Sequence, residues 1–134
     1  MKDSHIIIKT FQGIENPQAV YVLSRGQNSG KPLEASCPNC FQILAPDPLQ
    51  ARAVARILFE SGRLRPHLIG TAIEFVRLHD YRNLYLQVWD ALDPKRAEDV
   101  SAKLDAIDQY LKASQEQLKK IKQLRHSLAV AALH

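Results

Sequence analysis

From Val100 to Ala132 the chain carries a seam at alternating intervals of four and three positions: Val100, Leu104, Ile107, Leu111, Ser114, Leu118, Ile121, Arg125, Leu128 and Ala132. Only Ser114 and Arg125 break its apolar character, and no glycine or proline interrupts residues 95 to 133. This is the a/d pattern of a heptad series, and it folds as an α-helix whose oily stripe faces a partner helix. As one helix rising about 1.5 Å per residue, the stretch is roughly 58 Å long. A globular body made from the preceding residues is only about 30 to 35 Å across. The expectation is therefore a coiled-coil-like helix that pairs with another copy, giving a homo-oligomer through Val100, Leu104, Ile107, Leu111, Leu118, Ile121 and Leu128. The alternative is a helical hairpin broken near Ser114, where "KASQEQ" is polar but holds no helix breaker. In the coiled-coil reading Lys103 falls at g and Asp108 at the following e, a favourable pairing between parallel chains, although exposed pairs contribute little.

The remaining residues make one α+β globular domain over 1–92, with 93–134 as the C-terminal helix. A chain of 134 residues, 46% hydrophobic and 24% charged, builds a single core without disulfides or metal. Met1 to Thr10 has only three consecutive isoleucines, too few for a signal-peptide core or a membrane span, so a cytoplasmic protein without a membrane partner is expected.

His5–Phe11 and Ala19–Ser24 are rich in β-branched residues and predict two strands joined as a hairpin across Gly13, Asn16 and Pro17. Arg25–Pro38 shows neither periodicity and predicts an irregular loop, after which Phe41–Ala45 returns the chain to the sheet. Asp47-Pro48 starts a helix, aspartate accepting a backbone N–H and proline losing nothing at the first position, and Gly62 stops it. Its buried face is predicted to be Leu49, Ala53, Val54, Ile57 and Leu58, with Arg52, Arg56 and Glu60 outside. Thr71–Leu78 fits a strand as well as a helix and is assigned as a strand. Asp80 is then predicted to cap a helix over Tyr81–Leu92. The sum is a small, mostly antiparallel sheet with helices on one face, followed by the long helix.

Two short motifs raise chemical questions. "GQNSGKP" is not a phosphate-binding loop of the Walker kind, because Gly26 and Gly30 are separated by three residues rather than four and Pro32 follows Lys31. A looser anion or partner site at Arg25, Gly26, Asn28, Ser29, Gly30 and Lys31 is the functional reading; a turn bonded to its own backbone is the plain one. Cys37-Pro38-Asn39-Cys40 has the spacing of half a zinc site, but a closed site needs two more ligands and the five histidines are scattered. No cofactor is expected, with zinc at Cys37 and Cys40 as the alternative. A thioredoxin-like role is disfavoured because an extended run, not a helix, follows the pair. No nucleophile–base pattern or paired carboxylates point to an enzyme. The net charge of +4, with Arg52, Arg56, Arg63, Arg65, Arg77 and Arg82 between 52 and 82, leaves nucleic-acid binding as a second functional class.

"NSGKP" at 28–32, "CPNCF" at 37–41 and "GTAIEFVRLHD" at 70–80 together resemble a family of small proteins from Bacteroides-type bacteria that has no assigned activity. The resemblance spans roughly residues 15–90 and leaves the heptads outside. It implies that Asn28–Pro32 and Cys37–Phe41 belong to a shared motif, and it favours a strand over Thr71–Leu78.

Overall fold

The computed structural model describes residues 5–134. Its elements run β1 (Ile7–Thr10), β2 (Val20–Leu23), β3 (Pro32–Leu33), β4 (Cys40–Leu44), α1 (Pro48–Glu60), a 3₁₀ turn (Arg65–His67), α2 (Leu78–Ala91) and α3 (Pro94–Ala132). The strands form one antiparallel sheet in the order β1-β4-β2-β3. The protein is thus α+β, as its patterning predicts. Residues through Ser101 form one compact unit and Ala102–His134 a second.

The predicted β1–β2 hairpin does not form, because β4 lies between the two strands. Burial explains this. Cys40, Phe41, Gln42 and Ile43 are all buried, so β4 is covered on both faces and takes the central position, whereas only Ile8 of β1 is buried and β1 sits at the edge. Register places Ile43 opposite both Ile8 and Val20, and Phe41 opposite Val22. These five side chains share one face of the pleat, and they join α1 and α2 in one core. The predicted irregular loop over Arg25–Pro38 also contains β3, which pairs Tyr21 with Leu33.

The start of α1 matches its sequence signal: Asp47 accepts from the Leu49 and Gln50 amides at 3.1 and 3.4 Å. Gly62, at φ +78°, ends the helix in a conformation that suits glycine. The predicted buried face holds at Ala53, Val54 and Leu58 and fails at Leu49. Leu49 is exposed and Arg56 is buried, because the helix packs its small residues Ala51, Ala53 and Ala55 against the sheet and α2.

Thr71–Leu78 is not a strand. Ile69 and Phe75 exchange both backbone hydrogen bonds at 2.9 Å, closing a tight loop whose residues Thr71 to Glu74 are exposed. Gly70 permits this, with φ at +113° and no room for a Cβ beside the Ile73 carbonyl. α2 consequently starts at Leu78, with Arg77 rather than Asp80 at the cap position, and Asp80 lies in the first turn, where its charge complements the helix dipole.

α2 carries Tyr81, Tyr85 and Trp89 four residues apart. With Phe41 they form a ladder of rings whose successive centroids lie 5.6, 5.9 and 6.1 Å apart. The Tyr85 hydroxyl donates to the Ala51 carbonyl at 2.9 Å, tying α2 to α1. The Tyr81 hydroxyl is buried and meets no partner among the described residues, and such a group costs about 1 to 3 kcal/mol. Tyr81→Phe should therefore leave the protein as stable or about 1 kcal/mol more stable at neutral pH. Burial also raises both phenol pKa values above the ordinary 10.0. The unfolded chain ionises these phenols first, so their stabilising contribution is complete below pH 10 and falls as pH rises beyond it. Denaturant titrations at neutral pH and at about pH 11 should show the variant losing less stability than the parent. A drop of more than 1 kcal/mol at neutral pH would mean that the hydroxyl has a partner after all.

Candidate functional site

The three sequence blocks meet on one short stretch of backbone. The Ser24 amide donates to the Asn39 carbonyl at 2.9 Å, and the Ser24 carbonyl accepts from the Val76 amide at 3.1 Å. Gly26 donates to the Glu74 carbonyl at 2.6 Å. Residues 24 to 26 thus hold the CPNC turn on one side and the 70–76 loop on the other.

Within the glycine loop the amides are mostly spent on the protein itself. Ser29 donates to Gly26, Gly30 to Leu23 and Lys31 to Asn28, while Leu23 donates back to the Lys31 carbonyl. The Ser29 hydroxyl, on a buried residue, donates to the Gly26 carbonyl at 2.7 Å. Four of the N–H groups that an anion cradle would offer, those of Gly26, Ser29, Gly30 and Lys31, therefore point to carbonyls. Arg25 and Lys31 are exposed. Beside the loop a cleft of about 480 Å³ is walled by Asn28, Ser29 and Arg65 but also by Glu60 and Glu74, so its charge is mixed.

Cys37 is half-buried and Cys40 fully buried. The Cys40 thiol donates to the Cys37 carbonyl at 3.0 Å and accepts from the Cys37 amide at 3.5 Å. Burial pushes the Cys40 thiol pKa up, which favours the neutral thiol over the thiolate that metal binding and redox chemistry use. Among the described residues no three His, Cys, Asp or Glu side chains gather as a metal-ligand set. A tetrahedral zinc at this pair would need its other two ligands from elsewhere.

The arginines between 52 and 82 are partly committed to the fold. Arg52 bonds Glu34 at 2.7 Å and the Leu33 carbonyl at 3.4 Å, Arg82 bonds the Ile8 carbonyl at 2.8 Å, and Arg56 is buried with a partner. Arg63, Arg65 and Arg77 are exposed.

The seam residues lie on a single helix. α3 runs 39 residues without a break, so the hairpin alternative does not hold. Pro94 occupies its first turn, and the Asp93 carboxylate accepts from the Arg96 amide at 3.2 Å. Val100, Leu104 and Ser114 are half-buried, whereas Ile107, Leu111, Leu118, Ile121 and Leu128 are between 51% and 64% exposed. Sequence reading passed over two further apolar residues, Tyr110 and Leu124, both exposed. They sit at g positions two heptads apart, a flank that an a/d count does not inspect.

No helix among the described residues is long and apolar enough to cross a membrane. No curated protein and no solved structure matches the chain. A family of unknown function, DUF6943, matches residues 8–131. The match takes in the sheet, all three blocks and nearly all of α3, so the heptads belong with the family match and do not fall outside it as the shorter resemblance implied. Over that length the chain belongs to the family of unknown function DUF6943.

Proposed function

We propose that the protein is a non-catalytic, cytoplasmic assembly module that associates with itself through α3. The observation that carries this reading is the seam: five large aliphatic side chains at a/d spacing, each more than half exposed, on one uninterrupted helix. Fully burying a side chain of this kind contributes about 1.5 to 3 kcal/mol, and these begin half-covered, so each contributes roughly 1 kcal/mol on pairing. Five from each of two chains give on the order of 10 kcal/mol, comparable with the cost of bringing two molecules together. The expected assembly is therefore reversible and depends on concentration. The unpaired cysteines suit the reducing cytoplasm.

Sedimentation equilibrium over a range of micromolar concentrations tests it. The average mass should climb above the 15.1 kDa of one chain as concentration rises. A mass fixed at that value at the highest concentration reached would remove the proposal.

A further inference from the structure

Taking self-association through α3 as given, we infer that the second copy lies antiparallel to the first, with the two-fold axis at Glu116. Two independent features of the helix lead there.

The first is charge. Residues 98–108 hold Glu98, Asp99, Asp105 and Asp108 against Lys103. Residues 112–125 hold Lys112, Lys119, Lys120, Lys122 and Arg125 against Glu116. Parallel copies would lay the basic half along the basic half. Reversing one copy about Glu116 lays the acidic stretch 98–108 along residues 124–134 of the other, which hold Arg125 and no acidic residue, while residues 112–125 still lie along 107–120, so what the reversal relieves is the repulsion between the acidic stretches.

The second is the seam itself. With the axis at Glu116, every seam position meets another seam position of the second copy: Val100 meets Ala132, Leu104 meets Leu128, Ile107 meets Arg125, Leu111 meets Ile121, and Ser114 meets Leu118. Both polar seam residues then face an aliphatic one. In the parallel arrangement Arg125 would face its own copy in the core, two guanidinium groups with no counter-charge between them. The flanks follow the same logic, because in reversed helices e meets e and g meets g. Asp108, which also interacts within its own chain, comes to Lys122, and exposed Tyr110 comes to exposed Leu124. The Lys103–Asp108 pair of a parallel dimer is forgone, at little cost for an exposed pair. Sliding the antiparallel pair by one heptad removes either Leu128 and Ala132 or Val100 and Leu104 from the seam, so the centred register is the one that uses all of it.

A spin label on Ser127→Cys, in full-length protein carrying Cys37→Ser and keeping the buried Cys40, reads the orientation. In the centred antiparallel dimer residue 127 lies opposite residue 105 of the other copy. The two labels are then separated by about 33 Å along the axis at 1.5 Å per residue. In a parallel dimer they are separated by little more than the interaxial distance of about 10 Å. A dipolar distance near the longer value in a sample whose mass is that of a dimer supports the inference. A dimer with the short distance overturns the orientation and leaves self-association standing. A monomeric mass with no dipolar coupling overturns both.

Discussion

Replacing Leu111 and Leu118 together with aspartate should leave the protein a monomer at every concentration at which the parent chain associates. Both residues occupy a positions near the middle of the seam, and both are more than half exposed in the single chain. The substitutions therefore cost the isolated fold little beyond helix propensity, about half a kcal/mol each. In the dimer they place four carboxylates in the core, two from each copy. An uncompensated buried charge costs about 3 to 5 kcal/mol, and even one such cost exceeds the margin by which an association of this size is favoured. The dissociation constant should rise by more than about a thousandfold, whichever way the helices run. The thermal transition of the unit ending at Ser101 should stay where it was. Leu111→Gln with Leu118→Gln keeps strong helix formers while removing the apolar surface, and should also give a monomer with its helix content intact. Association that survives both pairs of changes would show that copies meet somewhere other than this seam.

The features readable in the sequence are those with short-range causes. Asp47-Pro48 announces a helix start because the cap bonds only two and three residues onward, and α3 is legible because its period repeats for nine intervals without a breaker. The errors arise where a distant segment decides. Thr71 and Ile73 are β-branched, yet their segment is a loop, because Gly70 turns the chain and Phe75 then bonds Ile69 across it. The central place of β4 depends on cover from both faces, and its pairing with β1 joins Ile7 to Leu44, far apart in the chain. Leu49 and Arg56 exchange their predicted environments because small alanines, more than long apolar side chains, set how closely α1 approaches its neighbours. The candidate site follows the same division. Its residues stand out as short blocks, but their meeting at Ser24 runs through backbone carbonyls at Asn39 and Glu74 and an amide at Val76, which leave no mark in side-chain pattern.

That meeting gives Gly30 a structural task, and Gly30→Ala should be the most damaging single-methyl change in the loop. Gly30 sits at φ +92°, where a side chain is strained, at a cost of about 1 to 3 kcal/mol. A Cβ there would also overlap the end of the Leu64 side chain, which is 3% exposed and lines the neighbouring cleft. Relieving the overlap means shifting Leu64 within the core, about 1 to 3 kcal/mol more, or moving Gly30 and loosening its bond to Leu23. Together these predict a loss of about 2 to 6 kcal/mol, a large part of the 5 to 15 kcal/mol by which domains are stable. At about 4 to 8 °C per kcal/mol, the midpoint of thermal unfolding should fall by about 8 °C or more. Gly26→Ala supplies the comparison: its φ of +104° brings the same kind of strain, but a Cβ there meets nothing within 4 Å. It should cost only the backbone part, about 1 to 3 kcal/mol. Adding Leu64→Ala to Gly30→Ala should cost less than the two losses combined, because the methyl then occupies space that the shortened side chain vacates. Equal losses at Gly26 and Gly30, or strict additivity in the double variant, would mean that contact with Leu64 is not what fixes this loop.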